Sequence, residues 1–460
     1  MRTPRFRLAQ VGERSAWLDA LRVRIFPDRW SSLFGQISLY SFVAVLLSGV
    51  VLMFFYDPSA TVVSYDGSYG PLHGVRMSKA LESTLHISFD VQGGMLVRQL
   101  HHWAALVMMA ALMLLLLRLF FVGAYRKPRE KTWLTIVTLL LVAMGIGLTG
   151  SALPDDLLSG SSMAILDGVL AATPLVGPLA SRLLFGGPFP GDVNAVLYPA
   201  HIGLSVVAIG LFALLIRQAV KRRHVVAASW RRLTAKRVGT FFATLGVLVL
   251  MAGTLTINPI WLFGPADPAS STAGASPSWY LAVLDGALRL APGWEVEWLG
   301  RTWSVAILAP LAVITLFFAV LALYPYLERL FTKDRKEHLE VERFRDNPRR
   351  SGIGVAGMAF YGVLWAAAGS NTLAPAFGVT VEGMMFAFQL LLVVGPVVGF
   401  LVTQYVCLGL LRREQDDALH GYETGIIIRS PEGGYTEVHA PVERKPELVG
   451  TKVRELSGRP

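Results

Sequence analysis

The chain has 460 residues, of which 53% are hydrophobic and 16% are charged, and its mean hydropathy is +0.51. Soluble domains carry about 25% charged residues, so this composition excludes an ordinary soluble protein and indicates a membrane protein. The formal net charge is +10. The single cysteine, Cys407, excludes a disulfide framework and a cysteine-based zinc site.

Apolar segments long enough to cross a bilayer recur along the chain, and each crossing needs about 20 residues. The sequence contains eight such segments. In chain order they are 31–55, 99–121, 132–150, 198–219, 238–257, 303–325, 352–370 and 383–411. The sequence therefore predicts an all-α integral membrane protein with about eight transmembrane helices.

Basic residues are concentrated in alternate connecting segments. They cluster at 126–131, 221–223 and 333–350, after the second, fourth and sixth predicted spans, whereas 371–382 contains neither Lys nor Arg. By the positive-inside rule, the basic segments and both chain termini are cytoplasmic. The positive charge is thus a signal of membrane topology and does not indicate nucleic-acid binding.

Two of the nine histidines, His101 and His201, lie at the outer ends of the second and fourth predicted spans. Both spans run from outside to inside, so the two imidazoles are expected at the same depth. Facing imidazoles in a four-helix bundle form a six-coordinate haem site. The alternative is that each is an isolated interfacial histidine bonded to a backbone carbonyl, and the spacing alone leaves both interpretations open.

Glycines in the first and third spans are compatible with a flat ligand. Gly35 and Gly49 are 14 residues apart, which is about 21 Å along a helix, so they share a face at two depths. Gly150 ends the third span, and Ile136 stands 14 residues before it. Glycine lets a porphyrin approach a helix closely, but plain helix packing explains a single membrane glycine equally well.

Seven motifs, spread over about residues 30–441, carry a family resemblance. The chain resembles the cytochrome b subunit of the actinobacterial cytochrome bc complex, a menaquinol–cytochrome c reductase. The motifs are RQLHHWAAL, GAYRKPRE, LPDDLLSG, FGGPFPG, INPIWLFGP, PSWYLAVLDGALR and HGYETG. The resemblance implies an N-terminal four-helix haem bundle followed by a C-terminal four-helix membrane part, in the plasma membrane.

This resemblance implies four parts of the chain. Residues 1–30 are expected to form a cytoplasmic N-terminal segment, and 31–235 the haem bundle. Residues 236–411 are expected to form the C-terminal membrane part with the outer quinol-site loop, and 412–460 a cytoplasmic tail.

The family holds two b haems, one above the other, and the resemblance assigns residues to each level. The outer haem iron would be bound by His101 and His201, with Gly49 and Gly150 making room and Arg98 pairing with a haem propionate.

At the inner level the family's ligand positions carry Leu115 and either Leu215 or Ile216, and the second glycine is replaced by Ile136. None of these side chains can bind iron. We therefore expect one haem b per chain, with the inner haem site lost.

The resemblance also implies a quinol-oxidation site on the outer face, with Tyr280 and Asp285 as its catalytic residues and Trp279 as a quinol contact. Quinol oxidation releases protons and needs an acceptor within hydrogen-bonding reach. The family's acid in the Pro-acid-aromatic-Tyr motif is Ser278 here, and its tyrosine before LPDD is replaced at Ser151. We expect a weakened site. Interfacial anchoring is the alternative role for Trp279 and Tyr280.

The leading hypothesis is a divergent cytochrome b paralogue that keeps one outer haem and cannot by itself run a full Q cycle. The implied partners are a Rieske iron–sulfur subunit, a cytochrome c subunit, menaquinol and membrane lipid, and homodimer formation stays open. The inner quinone-reduction site, which would follow the fourth span at 221–226, is expected to be absent. The alternatives are an ordinary two-haem reductase subunit and a non-catalytic structural or assembly paralogue, so enzymatic activity stays an open question.

Overall fold

The computed structural model describes residues 33–221, 230–267, 278–338 and 341–440. The predicted N-terminal segment 1–30, most of the 221–226 stretch and Pro277 of the Pro-Ser-Trp-Tyr motif lie outside these ranges.

The described chain is mainly helical, and three short two-stranded hairpins interrupt the helices. The helices are α1 (Leu33–Met53), α2 (Lys79–Phe89), α3 (Gly94–Phe121), α4 (Glu130–Ala152), α5 (Leu157–Ala171), α6 (Gly177–Phe185), α7 (Val193–Lys221), α8 (Trp230–Thr254), α9 (Ala282–Leu290), α10 (Val305–Thr332), α11 (Pro348–Ala367), α12 (Ser370–Ala376) and α13 (Val381–His420). The strands are β1 (Val62–Ser64), β2 (Arg76–Ser78), β3 (Glu295–Trp298), β4 (Arg301–Ser304), β5 (Tyr422–Arg429) and β6 (Tyr435–Ala440). Each hairpin is antiparallel, pairing β1 with β2, β3 with β4 and β5 with β6.

Seven of the described helices are long and apolar enough to cross a membrane: α1, α3, α4, α7, α8, α10 and α13. The seventh predicted span, 352–370, is a broken pair, because α11 and α12 meet at an angle of 81° and pass the same test only together. The fold class predicted from the sequence, an all-α membrane protein with about eight spans, is confirmed.

Two helix pairs form the N-terminal bundle. Helix α1 packs along α3, and α4 packs along α7, while α8 packs against both α1 and α3. The buried side chains that join these helices form one apolar core, which includes Met109, Leu112, Leu139 and Leu140. Because lipid tails are as apolar as these side chains, close van der Waals packing in this core, and not removal of apolar surface from water, stabilises the bundle.

The described residues divide into two compact units. One contains the residues up to Val341 together with Phe360–Leu392, and it holds the whole N-terminal bundle. The other contains Glu342–Ala359 and the residues from Val393 onward. All the candidate functional residues discussed below lie in the first unit.

Within the second unit, the start of α11 packs against the last half of α13. A Cβ atom at Gly352 would lie 2.8 Å from the Phe400 ring, so the two helix backbones approach closely there. Arg343 ties the same region to Glu414 through a 2.8 Å ion pair.

Helix α13 extends to His420, beyond residue 411, where the apolar span was predicted to end. Its last turns are polar and can continue as a helix in water until Gly421, whose φ of 82° ends it. The β5–β6 hairpin, which turns at residues 431–434, follows directly.

Candidate functional site

The outer end of α3 is tied to the segment that follows α8. Side chains of Arg98, Gln99 and Trp103 each make one hydrogen bond to backbone atoms of 255–258, with distances of 2.7 to 2.9 Å. A loop crossing the end of a membrane helix must satisfy its backbone polar groups inside the protein, and these side chains do so. They hold the start of α3, and with it the candidate ligand His101, in a defined position.

The structure places the imidazole rings of His101 on α3 and His201 on α7 next to each other. Their ring centroids are 6.3 Å apart, and their ring planes are inclined at 56°. Each Nδ1 is 3.0 Å from a backbone carbonyl, that of Val45 for His101 and that of Ile146 for His201. A carbonyl oxygen can only accept, so the proton lies on Nδ1 and the lone pair on Nε2. Metal-binding histidines are held in this tautomer in the same way.

The separation of the two rings fits one iron atom between them. If one metal atom were bound by a nitrogen of each imidazole, two metal–nitrogen bonds of about 2.1 Å would place the ring centroids roughly 6 Å apart. The observed separation is 6.3 Å. This agreement, with both Nε2 lone pairs available, fits the donor set of a six-coordinate b haem.

Two glycines leave the space beside these rings. A Cβ atom at Gly49 would lie 3.0 Å from Cε1 of His101, and one at Gly150 would lie 2.7 Å from Cε1 of His201. Any larger residue would displace the imidazoles. These two glycines, called the cradle glycines below, leave the space that the imidazoles occupy. That they also make room for a haem stays a prediction.

Arg98 is 3% exposed and directs its guanidinium toward this outer end. Its Nη2 donates to the Asn258 carbonyl, and its guanidinium carbon lies 5.9 Å from the centre of the Trp261 ring. Its Nη1 has no hydrogen-bond partner among the described residues. A buried guanidinium donor without an acceptor is costly, and an anionic group such as a propionate would satisfy it.

The inner level repeats the helix register of the outer level with different side chains. Leu115 lies opposite Gly35, with its Cδ2 3.7 Å from the Cβ position of that glycine, just as His101 lies opposite Gly49. Leu115 stands 14 residues after His101, and Gly35 stands 14 before Gly49. The side chain that faces the glycine at this depth is therefore a hydrocarbon.

The other inner positions are also occupied by apolar side chains. Ile136 is 3% exposed in the bundle core, and Leu215 packs against the same core. Ile216 is 47% exposed, so of the two candidates Leu215 is the one that packs in the bundle interior. Phe42 and Phe212 stack nearby, with ring centroids 4.4 Å apart.

Tyr280 lies at the centre of the predicted quinol site. It is 3% exposed, and its hydroxyl is 2.5 Å from the Cβ position of Gly147 on α4. Burial raises the pKa of Tyr280, against the opposing effect of hydrogen bonding to the Ser278 and Ser151 side chains. The two positions at which the quinol-site motifs depart from the family pattern, Ser278 and Ser151, therefore both lie beside the Tyr280 hydroxyl.

The other predicted quinol-site residues lie on either side of Tyr280 in the chain. The Trp279 ring is half-buried at 5.9 Å from the Tyr280 ring, and its carbonyl accepts a hydrogen bond from the Trp365 indole. The Asp285 carboxylate is bound to Arg289, one turn along α9, at 2.7 Å. The second predicted acid is thus engaged in an ion pair.

Two further carboxyl groups, on Asp155 and Asp156, lie where α4 passes into α5. Burial raises the pKa of both. Asp156 caps α5 by accepting from the Ser159 amide, and its Oδ2 has no hydrogen-bond partner among the described residues. The adjoining backbone pairs with residues 264–266, so the two outer loops are held together here.

Sequence reasoning missed one pair of contacts at the outer level. The hydroxyl groups of Ser48 and Thr149 each lie 3.1 Å from Nδ1 of a histidine, His101 and His201 respectively. The signal that could have indicated them is a hydroxyl residue immediately before each cradle glycine.

The fold and this pair of histidines define a multi-pass membrane protein built like the b-type haem proteins. Residues 106–265 match the family model described as cytochrome b(N-terminal)/b6/petB. The chain is 40% identical to the cytochrome bc1 complex cytochrome b subunit of Streptomyces coelicolor, over 95% of this chain and 85% of that protein. It is 41% identical to the subunit of the same name from Mycobacterium leprae, over 91% and 79% of the two chains. The chain therefore belongs to the cytochrome b family of actinobacterial bc1-type complexes.

The fold is also found in a solved structure. A chain of a hyperthermophilic respiratory Complex III matches with a TM-score of 0.61 at 20% identity, and the match covers 84% of this chain and 94% of that one. Family membership implies binding of haem b and a role in respiratory electron transport.

Proposed function

We propose that this chain is a divergent cytochrome b subunit of a quinol–cytochrome c reductase-type complex that holds one b haem, near the outer face, between His101 and His201. A b haem supplies one-electron exchange at its iron. The chain's own residues position it: two imidazoles in the ligating tautomer, two glycines beside them and one buried arginine with a donor to spare.

The observation that carries the one-haem proposal is the pairing of Leu115 with Gly35 in the register in which His101 pairs with Gly49. Ile136 and Leu215 belong to the apolar core at the same depth. Imidazole, thiolate, thioether and phenolate side chains bind haem iron, and a leucine side chain has no donor atom. Electron transfer across the whole membrane requires a second redox centre, and these residues supply no ligand for it.

We propose that quinol, menaquinol by family resemblance, contacts Tyr280, Trp279 and Asp285 at the outer face. The support is the buried phenol beside Ser278 and Ser151, where a quinol hydroxyl could share its hydrogen bonds. Ser278 cannot take up a proton at neutral pH, and Asp285 is already bound to Arg289. This site would therefore oxidise quinol slowly. A Rieske iron–sulfur subunit and a cytochrome c subunit are the proposed partners, in the plasma membrane.

The haem content of the purified full-length protein tests the proposal. The pyridine haemochrome assay should give about one haem b per polypeptide, and a redox titration should show one b-type transition. His101→Ala and His201→Ala should each abolish this haem. His102→Gln, on the same helix turn but about 100° away, should keep it.

Two haems per polypeptide, with two resolved transitions, would contradict the proposal. They would establish the ordinary two-haem subunit, an alternative with which the similarity to actinobacterial cytochrome b subunits is equally consistent. Haem-free protein that still supports assembly of the complex would also contradict the proposal, and it would establish the non-catalytic structural or assembly paralogue.

A further inference from the structure

Each candidate ligand makes a second contact through its Nδ1, in addition to its hydrogen bond to a backbone carbonyl. Ser48 Oγ lies 3.1 Å from Nδ1 of His101, and Thr149 Oγ1 lies 3.1 Å from Nδ1 of His201. Ser48 and Thr149 come from different helices, α1 and α4, and contact histidines on two others, α3 and α7. The outer level thus contains the same hydroxyl–imidazole contact twice.

The direction of these bonds follows from where the hydroxyl protons go. Ser48 Oγ donates to the Ala44 carbonyl at 2.7 Å, and Thr149 Oγ1 donates to the Gly145 carbonyl at 2.9 Å. A hydroxyl has one proton. Because that proton is used within the helix, each hydroxyl can only accept from the imidazole. Each Nδ1–H is therefore shared between a backbone carbonyl and a hydroxyl oxygen.

The arrangement obeys one local rule on both sides of the site. On α1 the carbonyl comes from the residue four before the cradle glycine and the hydroxyl from the residue one before it, and the same holds on α4. A serine or threonine hydroxyl in a helix ordinarily donates a hydrogen bond to a backbone carbonyl of the preceding turn and makes no other contact. Here the remaining lone pair is directed at the imidazole.

We propose that Ser48 and Thr149 are positioning residues that lower the redox potential of the iron held by His101 and His201. An acceptor on Nδ1–H increases the electron donation of Nε2 to the metal, and stronger donation stabilises ferric iron over ferrous iron. This inference rests on the proposed ligation by the two histidines.

The two hydroxyls can be removed with little change in packing. Ser48 and Thr149 are buried, at 5% and 8% exposure, and Thr149→Val preserves the shape of the side chain. The carbonyl bonds of 3.0 Å from both imidazoles remain in either variant. The rings therefore stay in place, and the change is confined to the hydrogen bonding of Nδ1.

The test is a redox titration of the purified full-length protein, monitored at the b-type absorption band. Ser48→Ala and Thr149→Val should each shift the midpoint potential upward with haem content unchanged, and the double variant should shift it further. Ser48→Thr and Thr149→Ser, which keep a hydroxyl, should retain the wild-type potential.

Ser41→Ala is the matched control. Ser41 is a fully buried hydroxyl on α1, seven residues closer to the inner end, and its Oγ has no hydrogen-bond partner among the described residues. Its removal should leave the potential at the wild-type value.

An unchanged potential in both haem-containing variants would overturn the inference, and so would a shift of equal size in Ser41→Ala. Loss of haem from both Ser48→Ala and Thr149→Val would also overturn it, because the hydroxyls would then be needed for binding. Failure of the ligation itself has a different signature: His101→Ala would keep the b-type band.

Discussion

At the scale of single residues, the Tyr280 hydroxyl shows how one contact can join two separate departures from a family pattern. Ser278 precedes it in the same motif, whereas Ser151 lies at the end of α4, and both influence the same phenol. The sequence shows each change but not their meeting, because residues 151 and 280 come together only through the packing of α4 against the loop before α9. The two side chains that hydrogen-bond this phenol are serines, so neither offers a carboxylate.

Restoring the acid at residue 278 should therefore accelerate quinol oxidation. Ser278→Glu places a carboxylate beside the Tyr280 hydroxyl, and general base catalysis contributes about 10²- to 10⁴-fold to rates. We expect at least about a tenfold increase in quinol-dependent cytochrome c reduction by the assembled complex, measured with a short-chain menaquinol analogue. The gain should disappear at low pH, where the carboxylate is protonated.

The matched control for that variant is Ser278→Gln. Glutamine has the size and polarity of glutamate but cannot accept a proton from quinol. It should stay at the wild-type rate across the pH range. Equal acceleration by Ser278→Gln would show that the size of the side chain at residue 278 limits the reaction. The lack of a proton acceptor there would then not be the cause of slow quinol oxidation.

Counting along the chain was enough to place His101 and His201 at one depth, because helices of known rise start from the same membrane face. It could not determine their tautomer. The tautomer depends on the backbone carbonyls of Val45 and Ile146, which lie on other helices, 56 and 55 residues away in the sequence from the histidines they contact. The sequence also could not decide between Leu215 and Ile216 at the inner level. Only their burial in the folded bundle distinguishes them.

At the scale of helices, hydropathy predicted the membrane spans well because each must present some 20 apolar residues to lipid. It could not predict the break between α11 and α12, which lies inside one apolar segment. It also gave no bounds for the short helices α5, α6 and α9. These helices have 15, 9 and 9 residues and are therefore shorter than a membrane span, so the search for span-length apolar segments does not detect them.

The contact between α9 and α11 depends on one glycine. A Cβ atom at Gly286 would overlap the backbone carbonyl of Leu364, which cannot move without moving α11. Gly286→Ala should therefore destabilise the protein by about 1–3 kcal/mol, the usual cost of overpacking. The measurement is the midpoint of thermal unfolding in detergent, with a decrease expected.

Gly362→Ala is the control for this contact. Gly362 lies on α11 with nothing within 4 Å of its Cβ position. Alanine in an open helical position gains about 0.5–1 kcal/mol over glycine, so this midpoint should rise or stay unchanged. A Gly286→Ala midpoint equal to that of Gly362→Ala would show that the two helices separate without cost.

At the scale of the whole molecule, the broken pair α11–α12 decides on which side of the membrane the chain ends. If the pair crosses the bilayer, the chain has eight spans and the β5–β6 hairpin returns to the cytoplasm. If it is a re-entrant loop, seven helices cross and the hairpin lies outside. The charge pattern favours eight, because 333–350 is basic and 371–382 has neither Lys nor Arg.

Single-cysteine labelling separates the two topologies. In a Cys407→Ala background, Arg335→Cys lies before the pair, Phe377→Cys between it and α13, and Glu432→Cys in the tail hairpin, all at exposed positions. With eight spans, a membrane-impermeant maleimide added to intact cells should label only Phe377→Cys, and permeabilisation should expose the other two. With a re-entrant pair, Phe377→Cys would be protected together with Arg335→Cys, and Glu432→Cys would react in intact cells. Because Arg335→Cys is cytoplasmic in both cases, its protection verifies that the cells are sealed, and the exchange of labelling between residues 377 and 432 refutes the eight-span topology.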